Sequence, residues 1–120
     1  MSGPHILSDA FRAATDVSAQ VLAERLRQIE KKGYDAAHDD THVDGDLERA
    51  AACYAAHAAG AHRMTALEYR TAAPPADWPW GAADWKPKDP RRDLIRAAAL
   101  AEAAIERRDR RAAGVALSAP

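Results

Sequence analysis

A chain of 120 residues with a net charge of −1, 48% hydrophobic residues and a single cysteine has room for one core and no internal disulfide. The near-neutral balance lacks the basic footprint of a nucleic-acid binder, and no run approaches the ~20 apolar residues of a membrane span. Most of the hydrophobic residues are alanine, which buries little area, so the core should be thin and a homo-oligomer is expected.

Residues 1–7, with Gly3 and Pro4, offer no cap and read as a loose arm. Ser8 or Asp9 then caps a first helix whose apolar positions Phe11, Ala14, Val17, Val21, Leu22, Leu26 and Ile29 recur mostly at three- and four-residue steps. Thr15-Asp16 is a second capping signal, so a break there is an alternative. Gly33 after Lys31-Lys32 is a stop signal. Residues 34–45 are a polar connection, and Asp44 or Gly45 opens a second helix with Leu47, Ala50, Ala51, Tyr54, Ala55 and Ala58 on one face. Gly60 lies near its end, although a continuation through Met64, Leu67 and Tyr69 meets no breaker.

Residues 71–90 change character, holding five of the chain's seven prolines and all three tryptophans. Proline forbids regular helix there, while three large indoles imply an ordered loop folded over the alanine-rich helices. Asp89-Pro90 is a strong helix start, and Leu94, Ile95, Ala98, Ala101, Ala104 and Ile105 follow helical spacing to about Arg111. Residues 113–120 read as a frayed tail. No stretch alternates with period two. The expectation is therefore an all-α single domain of three to four helices, with a long ordered Trp/Pro-rich loop before the last.

Chemistry concentrates in two places. Residues 38–46 carry His38, Asp39, Asp40, His42, Asp44 and Asp46 between two helices. Hard oxygen donors with one imidazole suit Mg²⁺ or Mn²⁺ better than structural zinc, and helix capping explains only one or two of these acids. On the first helix Glu24, Gln28 and Lys31 share a face at four- and three-residue spacing. A solvated face is the simple explanation, but a loop folded back along the helix would bring Glu24 and Gln28 opposite Asp39 and Asp40. The second place is the start of the last helix. Arg91 and Arg92 sit in a first turn that disfavours cations, so pairing with acids or with phosphate is expected there, supported by Lys86 and Lys88. The acidic residues 35–48 and the basic C-terminal third can also pair within one fold. Cys53, on a plain alanine-rich helix, reads as buried filler, and one cysteine with no basic-then-apolar leader gives a reducing, cytoplasmic setting as the expectation.

The segments AERLRQIEKKGYDAAHDDTHVDGDLERAAACYA and WPWGAADWKPKDPRRDLIRAAALAEAAIER, with their HDD, WPW, WKP and RRDL elements, resemble a small protein type common in bacteriophages and prophages. The helical plan with acids is also similar to the all-α MazG-like nucleoside triphosphate pyrophosphohydrolases, in which carboxylates on two antiparallel helices bind Mg²⁺ over a triphosphate. That likeness implies Asp46 and Asp93 as metal ligands, beside the His38, Asp39 and Asp40 donors already read from the loop. The family's ExxE is missing, and Glu106-Arg107-Arg108-Asp109 matches ExxD only by letter, in a basic helix end that suits salt bridges.

Two functions follow as expectations. One is a phage-type, Mg²⁺-dependent nucleotide pyrophosphohydrolase with Glu24 and Asp40 as catalytic carboxylates, His38, Asp39, Asp40, Asp46 and Asp93 on the metal, and Lys86, Arg91 and Arg92 on phosphates. The other is a non-enzymatic accessory protein, in the cytoplasm of a bacterial host, that binds a nucleotide signal or a host protein through Gln28, Trp78, Trp80 and Trp85.

Overall fold

The last helix organises the molecule, and its start follows from sequence. Asp89 Oδ1 accepts from the Arg92 backbone N–H at 2.8 Å while Pro90 takes the first helical position, where its missing N–H costs nothing. The computed structural model describes residues 3–32 and 45–118. Among these the helices are α1 (Gly3–Lys32), α2 (Asp46–Ala59), α3 (Ala66–Thr71) and α4 (Pro90–Ser118), with 3₁₀ turns at Ala61–Arg63 and Ala82–Asp84 and no strand. The chain is all-α and forms one domain.

Helix ends differ from expectation for local reasons. α1 starts at Gly3 rather than at Ser8, since proline at position 4 is tolerated within a first turn. No break occurs at Thr15, whose Oγ1 donates back to the Arg12 carbonyl at 2.9 Å instead of capping a new helix. α4 runs past Arg111 to Ser118, because one glycine at 114 costs about 1 kcal/mol and does not end a helix unaided.

α2 is opened by Gly45 at φ +83°, a left-handed conformation that glycine adopts without the Cβ penalty, and Gly45 O accepts the first intrahelical bond from Arg49 at 2.9 Å. At the other end Gly60 donates to the Ala56 and His57 carbonyls. The chain then leaves through a 3₁₀ turn rather than continuing, and restarts at α3 with a reciprocal cap. Glu68 N donates to Thr65 Oγ1 at 3.1 Å, and Thr65 N donates to Glu68 Oε1 at 2.8 Å.

The core lies between α2 and α4, which run antiparallel: Asp46 meets Arg107 at one end, and Tyr54 meets Arg96 towards the other. Leu47, Ala50, Cys53 and Tyr54 pack on Ala97, Leu100, Ala103 and Ala104, the alanines letting the backbones approach closely. Trp85 completes this core at 6% exposure. Its ring stacks on Tyr54 at 4.9 Å, and its indole N–H donates to the Ala72 carbonyl at 3.1 Å, which ties down the loop around it. α1 joins through Val21 against Ile95 and Ala99. Its residues 8–20 are all exposed, and the molecule measures 58 × 42 × 22 Å. No helix among the described residues is long and apolar enough to cross a membrane.

Candidate functional site: a basic, aromatic pocket beside alpha 1

Glu24 lies on the α1 face that packs against α4, and it is fully buried. A buried carboxylate must be paired, and Glu24 is paired thoroughly. Arg27, one turn along, donates Nε and Nη2 to its two oxygens at 2.8 Å each, Gln28 Nε2 donates to Oε2 at 3.0 Å, and Arg92 reaches Oε1 from α4. Burial alone would raise the Glu24 pKa, but the hydrogen bonds from Arg27 and Gln28 and the charges of Arg27 and Arg92 outweigh it, so the carboxyl sits below its ordinary value. Glu24 and Gln28 are thus interior, whereas Lys31 on the same line is exposed.

Asp46 and Asp93 are engaged separately. Asp46 Oδ1 accepts from Arg107 Nη1 at 2.8 Å and from the Leu47 N–H at 2.8 Å, and Oδ2 accepts from the Trp80 indole at 3.3 Å. Asp93, also buried, accepts the Tyr69 hydroxyl at 2.6 Å and the Lys88 backbone N–H at 3.3 Å, with Arg96 Nη1 at 3.5 Å. Burial, then the bond and charge of Asp93, push the Tyr69 hydroxyl pKa far above its ordinary value, so it stays a donor. Asp46 and Asp93 therefore serve as structural anchors. Among the described residues no three His, Cys, Asp or Glu side chains converge as a metal-binding group. The oxygens of Glu24, Asp46 and Asp93 already accept from arginines and other fixed donors. His38, Asp39 and Asp40 lie outside the described residues.

Arg91 and Arg92 face α1 rather than an open phosphate site. Arg91 Nη1 donates to Gln20 at 2.9 Å, and Arg92 is held by Glu24. The basic end of α4 pairs with the described part of the acidic stretch as composition suggests: Arg107 and Arg108 bind Glu48 at 3.0 and 2.7 Å, besides the bond from Arg107 to Asp46. Cys53 is buried, and its thiol pKa is raised, chiefly by that burial, which disfavours the thiolate.

Several expected residues do come together. A cavity of about 210 Å³ lies between α1, α4 and the tryptophan loop, lined by Glu24, Arg27 and Gln28 on one side, Arg96 and Leu100 on another, and Tyr54, Trp78, Trp80, Asp84, Lys86 and Lys88 on the rest. Its aromatic wall is interlocked. Trp78 sits edge-on to Tyr54, Trp80 and Trp85 at centroid distances of 5.4, 5.4 and 5.0 Å, and the Trp78 indole N–H is satisfied by Gly81 O at 3.0 Å. Trp78 and Trp80 are half-buried at the wall, whereas Trp85, expected beside them as a ligand contact, lies behind in the core.

Gln28 and Arg96, which line this cavity, each hold one buried polar atom without a hydrogen-bond partner among the described residues, Gln28 Oε1 and Arg96 Nε. The amide orientation of Gln28 is fixed, since a carboxylate oxygen opposite it can only accept, so Nε2 must face Glu24 and Oε1 must face away. Arg96 is held by the Lys86 carbonyl, Asp93 and the Tyr54 ring, with its guanidinium carbon 5.6 Å from that centroid. Lys86 and Lys88 are exposed and form no ion pair among the described residues. Sequence reasoning misses Arg27, Tyr54 and Arg96. The signals present are a cation three residues after Glu24, and an arginine at an otherwise apolar position of the α4 stripe that includes Leu100.

No protein-family model, no curated protein and no solved structure matches this chain.

Proposed function

We propose that this protein binds a small phosphorylated aromatic ligand of the nucleotide class in the cavity between α1, α4 and the tryptophan loop, and acts by binding. The observation that carries the reading is that Trp78 and Trp80 line one cavity together with Gln28, Arg96, Lys86 and Lys88. Gln28 Oε1 and Arg96 Nε, buried and without a partner among the described residues, each cost about 1–3 kcal/mol, so these two lining residues hold unused hydrogen-bonding capacity. A ligand with a flat ring for the indoles and polar groups for the Gln28 and Arg96 side chains fits this lining. At about 210 Å³ the cavity is smaller than pockets that enclose a drug-sized molecule, roughly 300 Å³ and above, so it takes one moiety and leaves the rest at the rim. Lys86 and Lys88 stand at that rim, suited to phosphate.

Binding is favoured over Mg²⁺-dependent hydrolysis because Glu24, the buried one of the two carboxylates that line the cavity, already accepts from Arg27, Gln28 and Arg92. A general base or metal ligand needs a free lone pair. Calorimetry with a panel of nucleoside mono-, di- and triphosphates, with chelator and then with Mg²⁺, tests the proposal alongside an assay for released pyrophosphate. Saturable binding in chelator without pyrophosphate release supports it. Turnover with Mg²⁺ would establish the hydrolase instead, and no binding by any nucleotide would end the nucleotide reading.

A further inference from the structure

Among the described residues α1 carries a second apolar stripe that is largely exposed, with only Ile29 part-buried. Val21, Glu24, Arg25 and Gln28 form the buried face of α1, and all four lie in its C-terminal half. Rotated away from that face, Phe11, Leu22, Leu26 and Ile29 fall on one line with Thr15 and Ser18, at steps of four, three, four, four and three residues. Phe11 is 72% exposed, Leu22 58% and Leu26 49%. This is the spacing of a helix–helix seam. Residues 8–19 are all exposed, and a helical stretch of that length is marginal in water without tertiary support. The arm calls for a partner helix.

The flanking charges identify the partner. Arg12 and Glu30 lie on the same flank of the stripe, eighteen positions or five full turns apart, and both are exposed. In an antiparallel helix pair, like flanks face each other across the two-fold axis. A second copy running antiparallel therefore sets each Arg12 opposite Glu30 of the other copy, twice by symmetry, with Leu22 of both copies near the axis and each Phe11 beside the other copy's Ile29. A parallel pair would gain neither charge contact. We infer that the unpartnered face of α1 is a homodimer seam, closed by α1 of a second copy in antiparallel register. A single helix pair of this length buries on the order of 1,000 Å² in total, the lower limit for a specific interface, so the dimer should dissociate on dilution. The seam lies on a different face of α1 from Glu24 and Gln28, and the inference does not depend on the ligand reading.

Sedimentation equilibrium of the full chain over a range of concentrations tests it. Wild type should pass from monomer to dimer, and Leu22→Asp should remain monomeric with unchanged helical circular dichroism, since Leu22 is exposed and belongs to neither core cluster of the described residues. Arg12→Glu should raise the dimer Kd about tenfold, with Arg12→Glu/Glu30→Arg restoring it. A wild type that is monomeric throughout, a dimer indifferent to Leu22→Asp, or a charge-swapped double variant no better than Arg12→Glu would each overturn the inference.

Discussion

Arg107 Nη1 donates to Asp46 Oδ1 at 2.8 Å across the α2–α4 interface, with the two side chains 1% and 2% exposed. This pair decides how the acidic stretch before α2 is understood. Asp46 stands where a metal ligand is expected from sequence, and it is neutralised instead by an arginine from the C-terminal half of α4, while Arg92 in the first turn of that helix closes on Glu24. Removing one partner leaves a buried charge uncompensated, so Arg107→Ala is expected to lower unfolding stability by about 3–5 kcal/mol. Asp46→Leu/Arg107→Met should recover most of that loss. Urea denaturation of the two variants checks both values.

Glu24 gives the fold an acid limb. Its folded pKa lies below the ordinary 4.5, so the unfolded chain binds the extra proton as pH falls through that value. The contribution of Glu24 is fully present above about pH 4.5 and fades as pH drops towards its folded pKa. The urea midpoint should therefore fall below about pH 4.5, and Glu24→Gln should flatten that part of the profile while lowering stability at neutral pH.

Gln28→Met separates stability from binding. The variant loses the hydrogen bond to the Glu24 carboxylate, a cost of about 1.5–3 kcal/mol, but also removes the buried unmatched Oε1, which returns about 1–3 kcal/mol. The two nearly cancel, so thermal unfolding should shift little. Nucleotide affinity, by contrast, should drop about tenfold or more, measured by calorimetry under the same conditions.

The Thr65–Glu68 box should behave as an ordinary cap. Thr65→Ala is expected to cost about 1 kcal/mol in urea denaturation and to leave ligand affinity unchanged. A loss of affinity would mean that α3 positions the cavity through Tyr69 and Asp93.

The helices are legible in sequence where local chemistry decides them. Asp89-Pro90 and Gly60 mark ends that depend on one cap or one glycine, and the structure keeps them. The restart at Thr65 is equally local, a Thr-x-x-Glu that announces a capping box, yet an unbroken apolar pattern hides it. The site is legible only in part. Gln28, Trp78, Trp80 and Lys86 do line one cavity with Glu24, because helical spacing and the tryptophan loop carry that information. The fate of the carboxylates is not readable, since whether Asp46, Asp93 and Glu24 meet a metal or an arginine depends on which turn of α4 lies opposite. Composition says that acids and bases can pair, and tertiary packing alone says which ones.

The most direct test of the ligand site is a calorimetric titration of wild type and of Lys86→Ala/Lys88→Ala with the nucleotide that binds tightest. Both lysines are exposed and carry no internal ion pair among the described residues, so the double variant should unfold as wild type does. The account predicts one saturable site per chain in wild type and an affinity about tenfold or more weaker in the variant. Equal affinity in the two proteins, at equal stability, would contradict it.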